Sequence, residues 1–130
     1  MKQNKHAMAG VRVLDAATFI AAPYAAAIMG EFGAEVIKIE NPKGGDPWRR
    51  YGTDSGQPNQ SLAWLTEARN KKSITLNLRA PEGAALFKRL VETADVVCEN
   101  FRPGTLEKWG IGWTDLKAIN SGLIMMRISG

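Results

Sequence analysis

Asp95-Val-Val-Cys-Glu-Asn-Phe-Arg-Pro-Gly-Thr-Leu-Glu-Lys-Trp-Gly110 begins as a short apolar run, breaks at Asn100, Phe101 and Arg102, and passes through a Pro-Gly pair to a segment that stops at Gly110. Pro suits the first turn of a helix and Gly its end, so the stretch predicts a strand, a corner and a short helix opened by Pro103. In an open α/β sheet small molecules bind beyond the carboxyl ends of the strands, where helix N-termini present free N–H groups. The corner therefore has two readings. It is a ligand site offering an amide, an aromatic face and a guanidinium, or it is a buried strand followed by a capped helix.

The same alternation extends in both directions. Val11 to Leu14 reads as a first strand, Pro23 opens an Ala-rich helix over Tyr24 to Phe32, Gly33 ends it, and Glu35 to Glu40 is a second strand. Together they make a βαβ unit, right-handed by the general rule. Ile74, Leu76 and Leu78 alternate with Thr75, Asn77 and Arg79, which predicts a strand with one polar face. Pro81 starts a helix whose Leu86, Phe87, Leu90, Val91 and Ala94 fall at helical spacing. Asp95 to Cys98 follows as a strand, Thr114 is the expected N-cap of Asp115 to Ile119, and Leu123 to Ile128 is the last strand. The segment from Asn41 to Asn70 breaks the rhythm with Pro, Gly, Asp and Ser, and carries a short helix near Leu62 to Ala68. Long excursions of this kind tend to be functional. The fold class is α/β, a Rossmann-like open and mostly parallel sheet with helices on both faces.

With 130 residues, 45% of them apolar, the chain can bury one core, as roughly two-thirds of the surface is buried at this size. Residues 10–130 are taken as one domain and residues 1–9, including His6, as a flexible leader. No apolar run reaches about 18 residues and no signal-peptide pattern is present, so neither membrane insertion nor export is expected. The single Cys98 lies in a strand-like run with no general base beside it and reads as a buried structural thiol, which leaves the cytoplasm as the expected compartment. The net charge of +4 favours an anionic partner. Nucleic acid is disfavoured because Arg49, Arg50, Arg69, Lys71, Lys72, Arg79, Arg102 and Lys108 are scattered through loops without a basic helix or an RNA-binding aromatic signature. No cluster of His, Cys and carboxylates predicts a metal site. The first βα turn, Asp15 to Pro23, lacks Gly-x-Gly-x-x-Gly, which argues against a dinucleotide domain and leaves Glu40 as a solvated strand end.

Five segments, in order and in register, resemble the class III CoA-transferases, whose relatives include formyl-CoA transferase, carnitine CoA-transferase and α-methylacyl-CoA racemase. They are the opening stretch, Gly10-Val-Arg-Val-Leu-Asp15, Gly33-Ala-Glu-Val-Ile-Lys-Ile-Glu40 with Pro42 and Gly44-Gly-Asp46, Asn70-Lys-Lys-Ser-Ile-Thr-Leu-Asn-Leu-Arg79, and Asn120 to Gly130. The resemblance implies that the chain is the N-terminal CoA-binding lobe of a larger two-domain enzyme. It also implies CoA or acyl-CoA as substrate, a carboxylic acid as acceptor and an intertwined homodimer in the full-length parent.

By the same resemblance the CoA contacts fall on Ile20 and Ala21 beside the thioester, Asn41, Leu76, Asn77, Leu78 and Arg79, the Asn100-Phe101-Arg102 triplet, and Lys108. Some family members carry Gln where this chain has Ile20, so a more apolar acyl group than formate or oxalate is expected. Arg is frequent at the position of Asn41, and Arg stands in place of Lys108, where Lys keeps the charge but loses the bidentate fork. Arg49 and Arg50 after Gly44-Gly-Asp46 are further candidates for phosphate contact. The family's nucleophile is an Asp expected beyond Gly130, which would leave the 130 residues inactive alone, and none of Asp15, Asp46, Asp54, Asp95 or Asp115 matches it. The alternatives are an acyl-CoA racemase or epimerase of the same family and a non-catalytic CoA-binding module.

Overall fold

In a computed structural model, which describes residues 6–129, the chain runs β1 (Arg12–Asp15), α1 (Ala21–Glu31), β2 (Glu35–Glu40), a 3₁₀ turn at Pro47–Arg50, a hairpin of β3 (Asp54–Gln57) and β4 (Gln60–Ser61), and α2 (Leu62–Glu67). It continues through β5 (Lys71–Thr75), α3 (Pro81–Val91), β6 (Val96–Glu99), α4 (Thr105–Lys108), α5 (Trp113–Ile119) and β7 (Ile124–Arg127). The main sheet has the order β5-β2-β1-β6-β7. Every pair in it is parallel, with Val13 of β1 opposite both Val36 and Val96. The chain builds outward from β1 on one side through β2 and β5, then crosses to the other side with β6 and β7. Such a reversal leaves a crevice above the carboxyl ends of the central strands.

Side chains of a strand alternate between faces, and a parallel sheet must cover both. Val13, Val36, Val96 and Cys98 pack with Ala22 and Ala26 of α1 on one face. Leu14, Ile39 and Val97 pack with Phe87 and Val91 of α3, Leu106 of α4 and Leu116 of α5 on the other. The α/β class, the parallel sheet and the helices on both faces agree with the expectation from alternation. The β2 boundaries, Glu35–Glu40, coincide with it. Residues 6–9 of the expected leader lie at the end of α1, where the Met8 amide donates to the Phe32 carbonyl at 2.8 Å and Met8 packs against the α1 face.

Four local expectations are corrected. The strand expected through Ile74, Leu76 and Leu78 is Lys71–Thr75, because its partner β2 stops at Glu40, whose carbonyl takes the last ladder bond from the Leu76 amide at 2.8 Å. Leu76 to Arg79 instead form a turn in which the Asn77 side chain accepts from the Arg79 amide. The helix after Pro23 begins earlier, at Ala21, and Pro23 sits in its first turn, where backbone N–H groups have no helical acceptor anyway. Thr114 is not a cap. The Asp115 carboxylate reaches back to the Gly112 amide at 3.0 Å and starts α5 at Trp113. Pro103 precedes α4, whose N-cap is Gly104 in the left-handed region at φ 83°.

Candidate functional site

A cavity of about 280 Å³ opens over the carboxyl ends of β1, β2, β5 and β6. The turn after β1 supplies Ala16 and Thr18, the loop after β2 supplies Asn41, Lys43, Gly45, Asp46 and Arg50, and the turn after β5 supplies Leu76, Asn77, Leu78 and Arg79. Phe101 after β6 and Trp109 after α4 close the side. The Phe101 and Trp109 rings meet edge to face with centroids 5.2 Å apart, and the Arg79 guanidinium carbon lies 5.6 Å from the Trp109 centroid. The Phe101 backbone is held by its amide, which donates to Glu99 Oε2 at 2.7 Å. Helix α3 approaches this turn closely because residue 83 is Gly: a Cβ there would lie 1.9 Å from the Asn77 carbonyl oxygen.

The charges around the cavity are unevenly paired. Glu40 and Asp46, the two lining carboxylates, each have a cation behind them. Glu40, 3% exposed, receives Arg49 Nε at 2.7 Å on one oxygen and Arg49 Nη2 at 2.7 Å on the other, with further bonds from the Ser73 hydroxyl and the Asp46 amide. Burial by itself would raise the Glu40 pKa, but the bonds from Arg49, Ser73 and Asp46 outweigh it and hold the carboxyl at about 2. Gly45 is needed beside it, since a Cβ at this left-handed position would lie 2.6 Å from Glu40 Oε2. Asp46 faces Lys38 at 3.0 Å. By contrast, the lining cations Lys43, Arg50 and Arg79 make no ion pair among the described residues. Three uncompensated cations and an aromatic pair in one cavity favour an anionic ligand carrying a planar ring.

Two expectations are overturned here. Glu40 is not a solvated strand end but a buried ionic anchor, and Arg49 is committed to it rather than free for a phosphate. Of the residues assigned by resemblance, Asn41, Leu76, Asn77, Leu78, Arg79 and Phe101 line the cavity together. Asn100 stands behind them. Its side-chain oxygen accepts from the Thr18 amide at 2.8 Å and its nitrogen donates to the Thr18 carbonyl at 2.7 Å, so its amide is spent on shaping the turn after β1. Ile20 and Ala21 are exposed at the start of α1, next to that turn but outside the lining. Arg102 and Lys108 are exposed and also outside the lining.

Trp109, Thr18 and Lys43 line the cavity without having been singled out in the sequence. Trp109 carried a signal, an aromatic at the end of the short helix that follows Phe101; Thr18 and Lys43 carried none. Cys98 is buried, and its thiol is pushed up to about 12, first by burial and then by the nearby Asp15 carboxylate. No group of three or more His, Cys, Asp or Glu suited to a metal occurs among the described residues. No helix of the described residues is long and apolar enough to cross a membrane.

Comparison with known proteins gives concordant matches. Residues 8–130 match the family described as CoA-transferase family III. The chain is 57% identical over 128 residues to a succinyl-CoA–L-malate CoA-transferase alpha subunit of Chloroflexus aurantiacus, covering 98% of this chain and 30% of that protein. It is 39% identical over an alignment of 135 positions to a succinate–glutarate CoA-transferase of Agrobacterium fabrum, covering 100% of this chain and 34% of that one. A crystal structure of a CAIB/BAIF family protein from Brucella suis superposes with a TM-score of 0.91 at 37% identity, over 98% of this chain and 34% of that chain. The chain thus spans about a third of the length of the relatives it matches.

Proposed function

Since the chain belongs to CoA-transferase family III, we propose that these residues are the CoA-binding lobe of an enzyme that moves CoA from an acyl thioester to a carboxylic acid. The observation that carries the reading is the cavity at the strand ends, where Lys43, Arg50 and Arg79 lack ion-pair partners and Phe101 and Trp109 offer a ring-binding wall. CoA joins phosphates to a planar base and matches both features. The names of the relatives point to a dicarboxylic donor such as succinyl-CoA, rather than the apolar acyl group that Ile20 alone suggests.

In this reading an Asp carboxylate attacks the thioester carbonyl and expels CoA thiolate, giving a mixed anhydride. The thiolate then attacks the aspartyl carbonyl, forming an aspartyl-CoA thioester and releasing the donor acid. The acceptor carboxylate attacks that thioester in turn, and CoA thiolate returns to the resulting anhydride to form the new acyl-CoA and free the Asp. Asp15 and Asp46 are buried and ion-paired, so neither suits the role of nucleophile, and by the family resemblance the attacking carboxylate is an Asp of another segment of the full-length enzyme. A homodimer of the full-length protein and a cytoplasmic setting complete the proposal.

Titration calorimetry of the full-length protein with CoA tests it. Arg79→Ala is expected to weaken CoA binding by about 1–3 kcal/mol, the usual cost of losing a charge-assisted contact. A wild-type protein that ignores CoA, or an Arg79→Ala variant with unchanged affinity, would sink the assignment of this cavity.

A further inference from the structure

Lys38 stands in the middle of β2, on the α1 face of the sheet, with only 1% of its side chain exposed. Burying an ammonium costs several kcal/mol unless its hydrogens are all directed at partners. Here they are. Nζ donates to the Ala17 carbonyl, lies 3.0 Å from Asp46 Oδ2 and lies 3.5 Å from Asp15 Oδ2. Asp15 is itself bound by Lys71 Nζ at 2.8 Å, and Lys71 also donates to the Pro23 carbonyl at 2.6 Å in the first turn of α1. Two buried lysines and two buried aspartates thus form a charge-balanced set reaching β1, β2, β5, α1 and the loop after β2.

The set touches both lips of the cavity. One lip is the turn after β1, whose Ala17 carbonyl is taken by Lys38 and whose Phe19 adopts φ 61°. A bulky residue in the left-handed region is strained and persists only when its surroundings hold it. The Phe19 amide is held by Asp46 Oδ1 at 3.2 Å, and Thr18 before it by Asn100. The other lip is the loop after β2, and there Asp46 Oδ1 also accepts from the Trp48 amide at 2.9 Å to start the 3₁₀ turn. One carboxylate oxygen therefore ties the two lips together. Its twin, Oδ2, accepts no hydrogen bond among the described residues and has Lys38 Nζ as its ion-pair partner at 3.0 Å.

We infer that Lys38 is a positioning residue of this site: its buried ammonium holds Asp46 between the Thr18–Phe19 turn and the 41–50 loop, and so sets the width of the cavity mouth. The inference rests on the CoA reading for what the mouth admits, but the clamp itself can be observed without CoA. An apolar side chain of similar length would fill the same space in the sheet, yet it would leave Asp46 a buried carboxylate without its ion-pair partner. Such a carboxylate turns toward solvent and releases both amides.

The test uses Lys38→Met and Asp46→Asn in the full-length protein, with hydrogen exchange followed by mass spectrometry on peptides covering residues 17–21 and 44–50, and CoA affinity measured alongside. Both variants are expected to exchange at least tenfold faster in those two peptides, with α3 and β6 peptides at the wild-type rate, and to bind CoA about tenfold more weakly. Unchanged exchange in the two lip peptides overturns the inference. Equal acceleration in α3 and β6 does so too, since it would mark Lys38 as a general core residue, and so does a loosened clamp with wild-type CoA affinity. Should Lys38→Met fail to fold, Lys38→Gln, which keeps a polar side chain without the charge, is read by the same two peptides in its place. A wild-type protein that does not bind CoA refutes the functional reading, while the two lip peptides still judge the clamp.

Discussion

Glu40 ends a strand whose inner positions are apolar apart from Lys38, and its carboxylate is ionised inside the fold because Arg49 grips both of its oxygens. The sign of its pH dependence follows from the direction of its shift. The carboxyl titrates near 4.5 in an unfolded chain and near 2 in the fold, so its stabilising contribution is complete above pH 4.5 and is lost as the pH falls through about 2. Glu40→Gln is expected to lower stability by about 2 kcal/mol at neutral pH, as for other hydrogen bonds to a charged group. The gap between wild type and variant should close between pH 4.5 and 2. Urea unfolding followed by tryptophan fluorescence across that range measures it, and a gap independent of pH would show that the anchor is not ionic.

Among the elements, α3 determines how the turn after β5 is presented. Its apolar face packs on the sheet through Phe87 and Val91, and its first turn abuts Asn77 at Gly83. Gly83→Ala would gain about 1 kcal/mol of helix propensity. It would also place a methyl against backbone, at 1.9 Å from the Asn77 oxygen and 2.6 Å from its carbonyl carbon, where no rotamer change relieves the contact. Overpacking of this kind costs typically 1–3 kcal/mol, so the expected net effect is a loss of about 1 kcal/mol. Because Asn77 to Arg79 must move to make room, CoA affinity should fall with it. Chemical denaturation and calorimetry on one variant check both halves, and a stabilised protein with normal CoA binding would contradict the packing argument.

For the whole molecule, the βαβ unit and the parallel sheet were legible because their evidence is local: a short apolar-rich run in Glu35–Glu40, Gly33 after the helix, Pro81 before the next. The end of β5 was not legible, since the alternation of Ile74, Leu76 and Leu78 continues past the point where β2 ceases to be a partner. Within the site, Phe101 could be picked out because it follows a strand-like run, and Arg79 because of the family resemblance. The roles of Lys38, Glu40 and Arg49 could not, because a lysine in a strand reads the same whether it faces water or two carboxylates contributed by other segments. Pairing across the fold distinguishes the two cases.

The place of β1 at the centre of the sheet bears on how the chain folds. Its pairing with β2 links residues 23 apart, such as Arg12 and Glu35, whereas its junction with β6 links residues 83 apart, such as Arg12 and Asp95. Closing the longer loop costs about 1 kcal/mol more in chain entropy. Formation of β1, α1 and β2 should therefore come first, with β6 docking afterwards. Stopped-flow refolding of Ala26→Gly in α1 and Val97→Ala in β6 is expected to separate them, the first slowing refolding and the second chiefly hastening unfolding. The cavity is walled on one side by residues of the early unit and on the other by Phe101 and Trp109, so the ligand pocket does not exist until β6 has docked.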